Sequence, residues 1–125
     1  MKVMVMVRAT RDSEAGVPPK PGMLEAMGKF NENLMKAGLI KDADGFKPSS
    51  FGKRVHFDGA SRTVKDGPFP VNETLAGYWI WDVKDMAQAV EWVKKCPNPM
   101  PGPSDIEIRP VYSAEEFAEL MKKNG

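Results

Sequence analysis

A chain of 125 residues, 42% hydrophobic and 28% charged, has the make-up of one globular domain (residues 1–125) with a modest core. Its 18 Lys and Arg against 17 Asp and Glu leave a net charge of +1; with no basic run or stripe, this excludes a nucleic-acid partner held by bulk charge. One cysteine, Cys96, and one histidine, His56, exclude an internal disulfide framework and supply too few ligands for a zinc site, so no metal is expected.

The opening KVMVMVR (2–8) is a run of β-branched and Met residues and predicts a strand. Val3, Val5 and Val7 face one way and Met4 and Met6 the other, so both faces are apolar. The run stops at Arg8, too short for a signal peptide or a membrane span. The expected setting is reducing and cytoplasmic, with no membrane partner. Residues 9–22, polar and rich in Pro and Gly, read as a loop. Met23, Ala26, Met27, Phe30, Leu34 and Ala37 recur at helical spacing and predict a helix over about 23–37, closed by Gly38.

Leu39-Ile40 begins a short strand, and DADGFKPSSFG (42–52) is turn-rich. KRVHFDGASRTVK then predicts a β-hairpin turning at Asp58-Gly59. His56 lies on its polar face, where a solvated or structural role is the ordinary one. The segment KDGPFP (65–70) cannot be helix, because its prolines fix φ and remove donors. It reads as a rigid loop at a pocket edge, with Phe69 packed inward. LAGYWIWDV (75–83) is a second strand apolar on both faces, with Tyr78 and Ile80 on one and Trp79 and Trp81 on the other. Asp85 caps a helix running to about Lys95. Four prolines between 97 and 103 forbid helix, and IEIRPVY (106–112) is the last strand. Ser113 and Glu116 form a capping box for a C-terminal helix that turns Phe117, Leu120 and Met121 inward.

Without the hairpin, the order is β-α-β-β-α-β, an α+β, ferredoxin-like sandwich. Two helices cover one face of a four-stranded sheet. The second apolar face then calls for a partner, and packing against an identical chain, a homodimer through the sheet face, is the economical arrangement.

The opening strand KVMVMV, the sequence RTVKDGPF with Glu73 after it, GYW at 77–79, EWVKKCP at 91–97 and IEIRPVY near the end occur in an order and spacing that resembles the YCII-related proteins, in particular their DGPF branch. The resemblance covers nearly the whole chain. It implies a ferredoxin-like fold in the dimeric α/β-barrel superfamily, which includes muconolactone isomerases, cofactor-free monooxygenases and haem enzymes. Some DGPF-type members are encoded beside, or fused to, extracytoplasmic-function sigma factors. A catalytic histidine is proposed for some relatives near the start of the first long helix. Here residues 18–25 read PPKPGMLE, so chemistry that needs that histidine is not expected, nor a haem held by a proximal one. No cofactor is expected.

The candidate catalytic residues are Asp66 and Glu73, which flank the proline loop. A carboxylate pair in unlike environments can divide acid and base work, whereas Asp before Gly commonly caps its own turn. Candidate substrate contacts are Arg8 and Arg109 as guanidinium clamps, Ser49 and Ser50 as hydrogen-bond donors, and Phe69, Tyr78 and Trp81 as apolar walls. Cys96, at a helix end, reads as a structural thiol. Two roles stay open: a cofactor-free enzyme on a small organic anion, working by proton transfer, or a non-catalytic binding or regulatory protein linked, for example, to such a sigma factor.

Overall fold

The computed structural model describes residues 1–124; Gly125 lies outside the described residues. Strands β1 (Lys2–Arg8), β2 (Ile40–Gly45), β5 (Leu75–Asp82) and β6 (Ile106–Pro110) form an antiparallel sheet in the order β2-β5-β1-β6. With the helices α2 (Met23–Lys36) and α3 (Met86–Lys94) between them, this is the ferredoxin-like α+β fold that the order of elements predicts. Strands β3 (Lys53–Asp58) and β4 (Ser61–Asp66) form a separate hairpin, and α4 (Ala114–Asn124) follows the last strand.

The two faces of the central strands divide as their alternation requires. Val3, Val5 and Val7 of β1 and Trp79 and Trp81 of β5 are buried. They meet Phe30 and Leu34 of α2 and Ala89 of α3 in one core. Phe30 stands among three indoles, with ring centroids 6.0 Å from Trp79, 6.3 Å from Trp81 and 6.3 Å from Trp92. Edge-on and tilted aromatic contacts of this kind add to the area they bury. On the opposite face the register sets Met4 across from Ile80 and Met6 across from Tyr78. These four side chains are only half-buried in a single chain.

Three local expectations are corrected. Residues 11–14 are not loop but a short helix, α1 (Arg11–Glu14), whose cap is a reciprocal pair: the Thr10 side chain accepts from the Ser13 backbone and the Ser13 hydroxyl from the Thr10 backbone. Residues 42–45, which read as a turn, are the end of β2. Asp and Gly are depleted in strands, but β2 is an edge paired only with β5, and the ladder overrides the local preference. Phe117 and Met121 do not turn inward. They are 51% and 58% exposed, and Phe117 stacks edge-on against Tyr112 with centroids 5.9 Å apart.

Candidate functional site

The DGPF segment follows β4, and its position is set by a residue far away in sequence. Glu14, at the end of α1, accepts from the Ser49 backbone N–H at 2.8 Å and from the Ser49 hydroxyl. The same hydroxyl oxygen accepts from the Phe69 backbone N–H at 2.9 Å. Ser49 is 8% exposed, so its polar atoms are spent holding α1 and the proline loop together. The Gly67 N–H donates to the Gly52 carbonyl at 3.0 Å, and the Gly67–Pro68 peptide is cis. A side chain at Gly67 has no room: its Cβ would lie 1.8 Å from the Ser49 carbonyl oxygen. Glycine here answers a close backbone approach rather than a turn.

The loop forms one wall of an open cleft of about 530 Å³, which Phe69 and Glu73 line together with Phe46, Phe51, Lys53 and Arg54. Arg54 is its central cation. Its Nη1 lies 2.9 Å from Glu73 Oε1, and its guanidinium stacks on the Phe69 ring with Cζ 4.0 Å from the centroid.

Neither candidate acid or base sits unpaired in a dry cavity. Asp66 is exposed and pairs with Lys53 at 2.5 Å across the hairpin. Glu73 is exposed and pairs with Arg54. Arg8 does reach the Glu73 end of the sheet, because β1 runs beside β5. It is not a free clamp there: it donates to the Asn72 carbonyl at 2.7 Å and to Glu107 at 3.2 Å. Arg109 is exposed and leans on the same Glu107 at 3.5 Å. Ser50 is exposed beside buried Ser49. Trp81, with no exposed surface, belongs to the core and forms no ligand wall.

Tyr78 lies on the open face and donates to Asp42 at 3.1 Å, with Asp44 at 3.5 Å. Its hydroxyl is held above its ordinary pKa first by the Asp42 hydrogen bond, then by desolvation and the two carboxylate charges. Burial pushes the Cys96 thiol up to about 11. Its thiolate is therefore scarce at neutral pH.

A second hollow, of about 440 Å³, opens on the helix side of the sheet where β1 and β2 end and β5 begins. Its walls are mostly apolar, with Val7, Met27, Ala43, Trp79 and Met100 among them. Met100 comes from the proline-rich segment 97–103. Asn98 orders that segment by donating to the Gly102 carbonyl at 2.8 Å and accepting from the Met100 N–H at 3.0 Å. Thr10 then donates to the Met100 sulfur at 3.3 Å. Asp44 and Tyr78 also line the hollow, and α2 contributes the amide of Asn31, whose Oδ1 accepts from Trp79 Nε1 at 2.9 Å. Indole N–H is only a donor, so the bond fixes the orientation of the amide. Among the described residues, no hydrogen bond is made by the Asn31 Nδ2 donors.

The family model of the YCII-related domain matches residues 1–115. This chain belongs to the YCII-related family. The comparison with curated proteins gives no match. In this YCII-related protein, among the described residues, no helix is long and apolar enough to cross a membrane. No three His, Cys, Asp or Glu side chains gather there as a metal-binding group.

Sequence reasoning misses Arg54, Glu14 and Asn31. Arg54 sits in a hairpin strand with nothing local to distinguish it. Glu14 follows a cap built from two hydroxyl residues, which the usual Ser/Thr-x-x-Glu pattern does not flag. Asn31 is one polar residue within an amphipathic helix. Only the tertiary contact with Trp79 sets it apart.

Proposed function

We propose that this YCII-related protein binds a small, largely apolar molecule carrying a carbonyl oxygen, without turnover, in the hollow on the helix side of the sheet. The observation that carries this reading is the Trp79–Asn31 hydrogen bond in a mostly apolar wall, which Asp44 and Tyr78 also line. It leaves amide donors ready for one acceptor on the ligand. The volume lies within the range of small-molecule sites, which are mostly apolar with few polar groups. Of the two roles that the sequence leaves open, binding is favoured over proton transfer. The carboxylates proposed as acid and base are both engaged in surface ion pairs.

The indole N–H of Trp79 is a built-in reporter. Acetophenone titrated into nitrogen-15-labelled protein should shift this signal saturably. Ethylbenzene, lacking the acceptor, should bind more weakly. Asn31→Asp keeps the acceptor for Trp79 and removes the amide donors. It should weaken acetophenone about tenfold, the worth of one such hydrogen bond, and leave ethylbenzene unaffected. An unmoved Trp79 signal with both compounds at millimolar concentration overturns the reading.

The same proposal includes a homodimer. Met4, Met6, Tyr78 and Ile80 form a half-buried apolar strip on the open sheet face. Charges of both signs border it, Lys2 and Asp82 at one end and Arg8 and Glu107 at the other, as a self-complementary surface needs. Light scattering at micromolar concentration should give the mass of two chains, and Met6→Lys should reduce it to one. A single-chain mass for the unaltered protein sinks this part of the proposal.

A further inference from the structure

The cleft beside the DGPF loop has a composition that neither core packing nor the hollow just described explains. Three phenylalanines line it, and two of them are strongly exposed: Phe46 at 50% and Phe51 at 72%. Three cations line it as well, Lys47, Lys53 and Arg54, against the single carboxylate of Glu73. Two cations lie over ring faces, Lys47 Nζ 5.2 Å from the Phe51 centroid and Arg54 Cζ 4.0 Å from that of Phe69. Lys53 is matched by Asp66 and Arg54 by Glu73. Among the described residues, Lys47 has no carboxylate partner.

We propose that this cleft is a second binding site, which takes a flat aromatic anion. The ring would lie against Phe51 and Phe46, and its carboxylate would meet Lys47 at the side of Arg54. A solvated lysine near an exposed ring gains little by itself, while a cation and an anion brought together over an aromatic wall, partly screened from water, gain more. The Phe69 ring and Glu73 hold the planar guanidinium of Arg54 in one orientation. The organisation of the DGPF loop then has a use. Ser49 fixes the Phe69 backbone, and Phe69 with Glu73 fixes Arg54, whose Nη1 and Nη2 both donate to Glu73, so Lys47 is the cation left for the anion. This site shares none of these residues with the Trp79–Asn31 hollow and does not depend on it.

The test is calorimetry on the full chain with 1-naphthoate, 1-naphthalenemethanol and inorganic phosphate as probes. Naphthoate should bind, and the alcohol and phosphate should each bind at least tenfold more weakly. Lys47→Gln and Phe51→Ala alter exposed side chains and leave the core intact. Each should weaken naphthoate about tenfold, whereas Asn31→Asp should leave it unchanged. Equal binding of the alcohol removes the role of charge, and equal binding of phosphate removes the stacking wall. Naphthoate binding that survives both cleft variants, or is lost in Asn31→Asp, places the ligand elsewhere. Any of these results, or no naphthoate binding at all, overturns the proposal.

Discussion

Replacing Gly67 by alanine should cost about 3 kcal/mol or more of stability, well beyond the loss of about 1 kcal/mol typical of single substitutions. The added methyl would lie 1.8 Å from the Ser49 carbonyl oxygen, 2.7 Å from its carbon and 3.2 Å from the Ser50 Cα. All three are backbone atoms, so no side chain can rotate away. Relief requires moving the proline loop off the Ser49–Ser50 turn. That movement breaks the bonds from Gly67 to Gly52 and from Phe69 to Ser49. Gly28→Ala is the control. Gly28 lies inside α2, and a methyl group there would have nothing within 4 Å. Alanine at this position should add up to about 1 kcal/mol through helix propensity. Urea midpoints at constant slope measure both. A Gly67→Ala protein as stable as the parent would mean that the loop is not seated on Ser49.

Trp81→Ala should lower stability by about 3 to 5 kcal/mol, the range for removing a large buried aromatic side chain. Trp81→Phe gives the sharper result. The indole is fully buried, and its Nε1 has no hydrogen-bond partner among the described residues. Phenylalanine removes an uncompensated donor whose burial costs about 1 to 3 kcal/mol, and this offsets much of the lost packing. At Trp79, only slightly less buried, the N–H is satisfied by Asn31. Trp79→Phe loses a made bond as well as volume. The expected order is therefore Trp79→Phe more damaging than Trp81→Phe. Thermal or urea unfolding that gives the reverse order would mean that Trp81 Nε1 finds an acceptor.

The fold can be read from the sequence because its central strands are written in strong terms. The alternation in KVMVMV and LAGYWIW fixes which side chains share a face. Covering one face with two helices then leaves the other open, as the half-buried Met4, Met6, Tyr78 and Ile80 illustrate. What the sequence hides is partnership across distance. Arg8 reads as an available cation until Glu107, 99 residues on, and the Asn72 carbonyl occupy it. Asp66 and Glu73 read as a reactive pair until Lys53 and Arg54 neutralise them. The Glu14–Ser49–Phe69 chain spans three segments, and no local pattern joins them. The DGPF loop, read from its prolines as a pocket wall, contributes Phe69 to the basic aromatic cleft and nothing to the apolar hollow.

The β3–β4 hairpin is exposed along its whole length, from Lys53 to Asp66. Its strands pair only with each other, and an isolated pair of strands is marginal in water. Amide protons within it should therefore trade with deuterium through small local openings, while those of β1 and β5 wait for the whole molecule to unfold. The arm can fray and re-form many times within the lifetime of the folded sheet. Arg54, through Glu73 and the Phe69 ring, ties one end of this arm to the loop at its base.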